Sequence, residues 1–86
     1  MVQAYIDRGI GYAANGDNDR AIEDYNEALK LNPKQALSLF GRGLAKLKKG
    51  DASGGEADIA AAKAIQTNIA EEFGRYRVTP SAATAR

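Results

Sequence analysis

The chain has no cysteine and no histidine among its 86 residues. Without cysteine no disulfide can form, and the redox compartment leaves no trace in the sequence. Without either residue, metal sites built on Cys or His are excluded, as are Cys–His and Ser–His–Asp catalysis. Long apolar runs are missing as well: none approaches the roughly 20 residues that cross a bilayer, and the N-terminus lacks signal-peptide architecture. Excess charge of one sign is also lacking. A net charge of +1 speaks against nucleic acid or an anionic membrane as partner. Carboxylates are plentiful, yet no pair falls in an expected pocket where acid–base chemistry could run. These absences point away from an enzyme and imply no catalytic residue, no metal and no cofactor. They leave the compartment open.

What is present is a repetition. Gly9 recurs as Gly43, Gly16-Asp17 as Gly50-Asp51, Asp24 as Asp58 and Ala28 as Ala62, each thirty-four residues on. The large apolar slots follow the same step: Tyr5 and Leu39, Tyr25 and Ile59, Leu31 and Ile65. Ala21 and Gly55 share a small slot. A period of this length marks stacked helical units that bury their apolar faces on one another. Hydrophobic residues make up 44% of the chain, but alanine inflates that figure, so bulky core residues are few. Residues 2–35 carry four basic and six acidic side chains, and residues 36–86 carry eight and five, a mild polarity typical of solvated helix faces.

Local signals place five helices. The first is expected over about 2–15, with Tyr5, Gly9 and Tyr12 on one face and Gly16 in the left-handed position that ends it. Asp17 to Asp19 supply the cap of a second helix over 19–31, which carries Ala21, Tyr25 and Ala28 and stops at Asn32-Pro33. A third covers about 35–49, with Leu39, Gly43 and Leu47, and closes at Gly50. Ser53 to Glu56 reads as a capping box opening a fourth helix that continues to Ile65 or Gln66. Asn68 to Glu71 opens a fifth, carrying Phe73, Tyr76 and Val78, and Pro80 ends it. The resulting division is a helical domain over 1–79 (repeats 2–35 and 36–69, capping helix 69–79) and a flexible tail over 80–86. Mid-helix Gly9 and Gly43 are expected to let the helices of a hairpin approach closely, with Ala21 and Gly55 in the facing small slots. The helical pattern starts at the second residue, which leads to the expectation of a fragment of a longer array.

The period and residue types together resemble the tetratricopeptide repeat family. Tyr5, Gly9, Tyr12, Ala21, Tyr25, Ala28 and Pro33 occupy that family's positions in the first unit, with Arg8 where Leu is usual. Leu39, Gly43, Ile59 and Ala62 do so in the second, while Arg42, Lys46 and Thr67 replace Leu, Tyr and Pro. Phe73 fits the leading aromatic of a C-terminal capping helix. The resemblance implies an all-α solenoid of stacked antiparallel hairpins, about two and a half repeats long, acting as a protein-interaction module. It also implies a concave groove along the first helix of each unit. Gln3, Ile6, Asp7, Ile10, Ala13 and Ala14 would line it from the first helix. Leu37, Phe40, Gly41, Leu44 and Lys48 would follow from the third, and Glu71, Gly74, Arg75 and Val78 from the fifth. Ile6, Ile10, Gly41 and Glu71 replace the residues that grip a peptide carboxylate in chaperone-binding members, and only Arg75 matches.

In place of that clamp, Ile6, Ile10, Leu37, Phe40 and Leu44 are expected to form an apolar stripe that the five helices leave open. With Lys48 and Arg75 they make the candidate site for a protein or peptide partner. Two occupants stand open: a partner's peptide or helix, or a second copy of the chain. The second copy would give a homodimer, face to face or by a domain swap that straightens Asn15-Gly16-Asp17 or Lys49-Gly50-Asp51. Weaker patterns read as ordinary structure. Asn15, Asp17 and Asp19 have the oxygen spacing of a calcium loop's start but lack its glycine and closing carboxylate, so they read as turn and cap. Gly9-Ile-Gly11 has no strand before it and no phosphate-binding lysine after it. Lys46, Lys48 and Lys49 are expected to complement a helix C-terminus.

Overall fold

The computed structural model describes residues 1–75, and among these there is no strand. Four helices run α1 Val2–Ala14, α2 Asn18–Leu31, α3 Ala36–Lys48 and α4 Ala52–Ile65. A fifth, α5, is described over 69–75. The expected positions of Tyr76, Val78 and Pro80, the end of the capping helix 69–79 and the tail 80–86 lie outside the described residues. Each helix packs on the next, α1 on α2, α2 on α3 and α3 on α4, and α1 also meets α3. This is an all-α stack of hairpins, in which α1 and α3 lie side by side.

The turns inside the two hairpins are copies of each other. Gly16 and Gly50 take φ of 82° and 94°, the left-handed region that glycine enters without steric cost. Asp17 N–H donates to the Tyr12 carbonyl and Gly16 N–H to Ala13; thirty-four residues on, Asp51 N–H donates to Lys46 and Gly50 N–H to Leu47. These paired bonds satisfy carbonyls that a helix end would otherwise leave bare. The next helix is capped at once: the Asp17 carboxylate accepts from Arg20 N–H and the Asp51 carboxylate from Gly54 N–H. The expected Ser53–Glu56 capping box is therefore not the one used. Asp51, two residues earlier, caps the helix through Gly54 N–H, so the helix starts at Ala52 and Ser53 falls inside its first turn.

Both mid-helix glycines sit in unbroken helix, and each is there for contact. A Cβ on Gly43 would lie 2.7 Å from the Gly55 carbonyl oxygen, and one on Gly55 would lie 2.7 Å from that of Gly43. The α3 and α4 backbones thus touch directly, as the small slots imply. On Gly9 a Cβ would meet the Tyr25 ring at 3.0 Å, and on Gly41 it would sit 2.5 Å from Tyr25 Cζ. The fully buried Tyr25 ring therefore lies between α1 and α3, in two slots that only glycine leaves empty. Beyond it the core continues through Leu29, Ala36, Leu39, Phe40, Ala62, Ile69 and Phe73.

Two glycine substitutions should move stability in opposite directions. Gly11 is exposed and mid-helix with open space around its Cβ position, so Gly11→Ala should gain about 0.5–1 kcal/mol of helix propensity. Gly41→Ala gains the same propensity but must displace a buried ring, an overpacking cost of about 1–3 kcal/mol. Thermal melts followed by circular dichroism should show Gly11→Ala raised and Gly41→Ala lowered. Equal rises in both would mean that Tyr25 is not wedged against Gly41.

Candidate functional site

A cleft opens on the side where α1 and α3 run together. Ile10 and Ala13 line it from α1, Asn18 and Tyr25 from α2, Gly41, Leu44, Ala45 and Lys48 from α3, and Phe73 from α5. It encloses about 190 Å³. The helical period explains the wall: Ile10 and Ala13 stand one turn apart, as do Gly41, Leu44 or Ala45, and Lys48. Its floor is the Tyr25 ring, which the glycine slots allow to reach so far. The lining is apolar except at Asn18 and Lys48 and the Tyr25 hydroxyl. Asn18 presents a buried side-chain oxygen, Oδ1, with no hydrogen-bond partner among the described residues. Lys48 is exposed.

The expected site residues are brought together only in part. Ile10, Leu44 and Lys48 line the cleft, joined by Ala13 and Gly41 from the wider groove set. The expectation of an apolar stripe left open by the five helices fails for Ile6 and Phe40, which are 0% and 8% exposed. The reason for Phe40 is α5: Phe73 lies on it with ring centroids 5.4 Å apart, tilted at 54°. Such a tilted pair keeps ring edge against ring face, the arrangement aromatic quadrupoles favour. Ile10, Leu37 and Leu44 are half-buried against the same core. Leu37 does not reach the cleft lining, and neither does Arg75, whose guanidinium pairs with Glu72 one turn back at 2.6 Å. Asn18 and Phe73 also line the cleft, and neither is among the residues expected to form the site.

Charges outside the cleft hold the hairpins in register. Arg8 Nε and Nη2 donate to the two Asp24 oxygens, each at 2.8 Å, joining α1 to α2. Arg42 repeats this from α3 to α4, donating to Asp58 at 2.8 and 3.0 Å. Arg42 Nη1 also donates to Asn26 Oδ1 at 2.8 Å, so it ties the second hairpin to the first. Lys46 completes the Asp58 site at 3.0 Å, and Lys49 pairs with Asp19. Two of the three lysines expected to serve the helix end are thus anchored to aspartates. Arg8 and Arg42, which depart from the usual leucine, are one device used twice: a forked guanidinium matched to a carboxylate of the facing helix. The signal was available, since an Arg–Asp pair sixteen apart recurs at the repeat period.

Burial alone would raise the Asp58 carboxyl, but hydrogen bonds from Arg42 and Lys46 and their positive charges outweigh it and hold the group below its ordinary value. For Arg8 the hydrogen bond to Asp24, then the Asp24 charge, push the guanidinium further above its own. The alternating oxygens of Asn15, Asp17 and Asp19 resolve as expected into a cap at Asp17, with Asp19 engaged by Lys49. Among the described residues no helix is long and apolar enough to cross a membrane.

Paired helices stacked at a thirty-four-residue step, with a cleft along their first members, define a helical-repeat fold. A family model described as TPR repeat matches residues 11–50. The stretch from the end of α1 through α3 is therefore similar to the TPR repeat. Part of the chain is also similar to the photosystem I assembly protein Ycf3 of Prochlorococcus marinus. In one strain the identity is 44% over 54 residues, covering 55% of this chain and 31% of the relative. In another it is 46% over 52 residues, covering 52% and 30%. The match thus spans less than a third of either relative's length.

The lowered Asp58 carboxyl gives a pH prediction with a definite sign. Its ion pairs contribute stability that is fully present above the unfolded carboxyl value, near about 3.9, and is lost as pH falls through the lower folded value. Urea midpoints measured from pH 5 to pH 2 should fall more steeply for the natural chain than for Asp58→Asn. Parallel curves would show that Asp58 carries no part of the acid sensitivity.

Proposed function

We propose that this chain is a non-catalytic interaction scaffold that holds a peptide or helix of a partner protein in the cleft between α1, α3 and α5. The observation that carries this reading is the cleft itself: an apolar hollow of about 190 Å³ set on the face formed by the first helices of both hairpins. Apolar hollows with a few placed polar groups are the usual form of a recognition site, and helix-in-groove docking is a common way to fill one. TPR repeats act as protein-contact modules, and the two relatives are named as assembly proteins. A role in holding other proteins together fits both. Ile10, Leu44 and Lys48 are the proposed contacts, with Leu37 and Arg75 further along the same side. Ile6 and Phe40 act from within the core. The domain proposed to fold and bind as one unit is 1–79.

A homodimer, face to face or swapped at Gly16 or Gly50, has less support. Ile6 and Phe40, its expected apolar face, are already covered within one chain. Sedimentation at micromolar concentration should give a monomer. Peptides selected from a display library against this chain should bind it but lose affinity for Ala13→Arg, which fills the cleft without removing a core residue. Leu31→Lys, at an exposed helix end (54%), should bind them normally. Retained binding by Ala13→Arg, or a concentration-independent dimer, would overturn the reading.

A further inference from the structure

We infer that Asn15 is a site of spontaneous covalent modification, where the folded first turn holds back loss of the side-chain amide and opening of that turn releases it. This inference stands apart from the cleft reading. The two hairpin turns are copies in geometry but not in chemistry. Gly16 and Gly50 both take a left-handed φ, and their N–H groups make the same bond, Gly16 to Ala13 and Gly50 to Leu47, each at 3.0 Å. The residue before the glycine differs: Asn15 in the first turn, Lys49 in the second. An asparagine before glycine is reactive because its side-chain carbonyl carbon lies within reach of the next peptide nitrogen, and glycine sets no side chain beside that nitrogen. The chain has five asparagines, and the other four precede Asp19, Glu27, Pro33 and Ile69. A side chain hinders attack at three of these, and the proline nitrogen has no proton to lose.

The step balances with water as its only co-reactant. The Gly16 nitrogen loses its proton and attacks Asn15 Cγ. The new C–N bond closes a five-membered imide, and the Cγ–Nδ2 bond breaks with release of ammonia. Water then opens the imide at either carbonyl, leaving aspartate or, where the chain is rerouted through the side chain, isoaspartate. Asn15 is exposed, and among the described residues no hydrogen bond holds its carboxamide. The backbone is what protects it. At the Asn15 ψ of 4° the Gly16 nitrogen is turned away from Cβ, whereas ring closure needs the two eclipsed about the Cα–C bond. The Gly16 N–H is also bonded to Ala13. Both protections end when the turn opens, and helix ends are among the first parts of a fold to open. Either product opposes closure of the turn again. A carboxylate is disfavoured at the negative end of α1, and isoaspartate adds a backbone carbon that the paired bonds from Gly16 and Asp17 do not accommodate. The second turn is immune, since Lys49 has no amide to lose.

The test is ageing of the full chain at mildly alkaline pH, with and without urea, followed by tandem mass spectrometry of the tryptic segment 9–20. Amide loss should appear at Asn15 and not at Asn18 of the same segment, with isoaspartate among the products. It should run about ten-fold or more slowly in the folded chain than in urea, because only the opened turn reacts. Asn15→Lys, which copies the second turn, should keep its melting temperature through the same ageing, while that of the natural chain falls. Equal loss at Asn18, or equal rates with and without urea, overturns the inference. So does a natural chain that has lost the Asn15 amide yet melts as the fresh chain does.

Discussion

The Tyr25 ring, held between Gly9 of α1 and Gly41 of α3, is the contact on which the rest of the arrangement depends. The ring is completely buried, and among the described residues it is the largest side chain to be so. A β-carbon on either glycine would press into it, so the two first helices can share one second-helix aromatic only because both carry glycine there. Each glycine weakens its own helix by about 0.8–1.0 kcal/mol relative to alanine. Burial of a large aromatic surface outweighs that loss. The same wedge sets the floor of the cleft. Stability and candidate site are therefore built from one ring.

The second constraint is electrostatic and repeats with the chain. Arg8–Asp24 and Arg42–Asp58 each bridge a first helix to its own second helix through a two-pronged contact. Apolar packing tolerates small slides of one helix along another, whereas a fork matched to two oxygens does not. The Arg42–Asn26 bond extends that registration across hairpins. Arg8's side chain is 61% exposed and Arg42's 22%. The inner pair is thus the less screened by solvent of the two.

The architecture was legible in the sequence because its determinants recur: the turn glycines at 16 and 50, the caps at 17 and 51, and the small slots at 43 and 55 all announce themselves by position. The Ser53 box misled because a capping motif cannot be judged without knowing whether a better acceptor, here Asp51, lies just before it. The stripe misled for a different reason. Helical periodicity tells which side chains share a face, but not what lies against that face. Ile6 and Phe40 were placed on the correct side of their helices, yet Phe73 from α5 covers the latter. Gly41 lines the cleft, but only the depth of the Tyr25 ring reveals it as a packing slot. Asn18 was hidden inside a turn-rich segment, where every polar residue has a ready capping explanation.

Since the cleft and the core share residues, occupancy and folding are linked. Ile10 and Leu44 line the hollow while packing against the buried cluster, and Phe73 serves both at once. A segment seated there would extend the core of a chain whose small size limits how much surface it can bury alone. Binding to the folded state alone adds stability by mass action, about 2.7 kcal/mol at a ligand concentration one hundred times Kd. For a marginally stable domain that is a large share of the whole. Disturbing α5 should loosen the cleft before the hairpins, because Phe73 is its contribution to both the lining and the core, whereas the hairpins keep their glycine contacts and Arg–Asp forks.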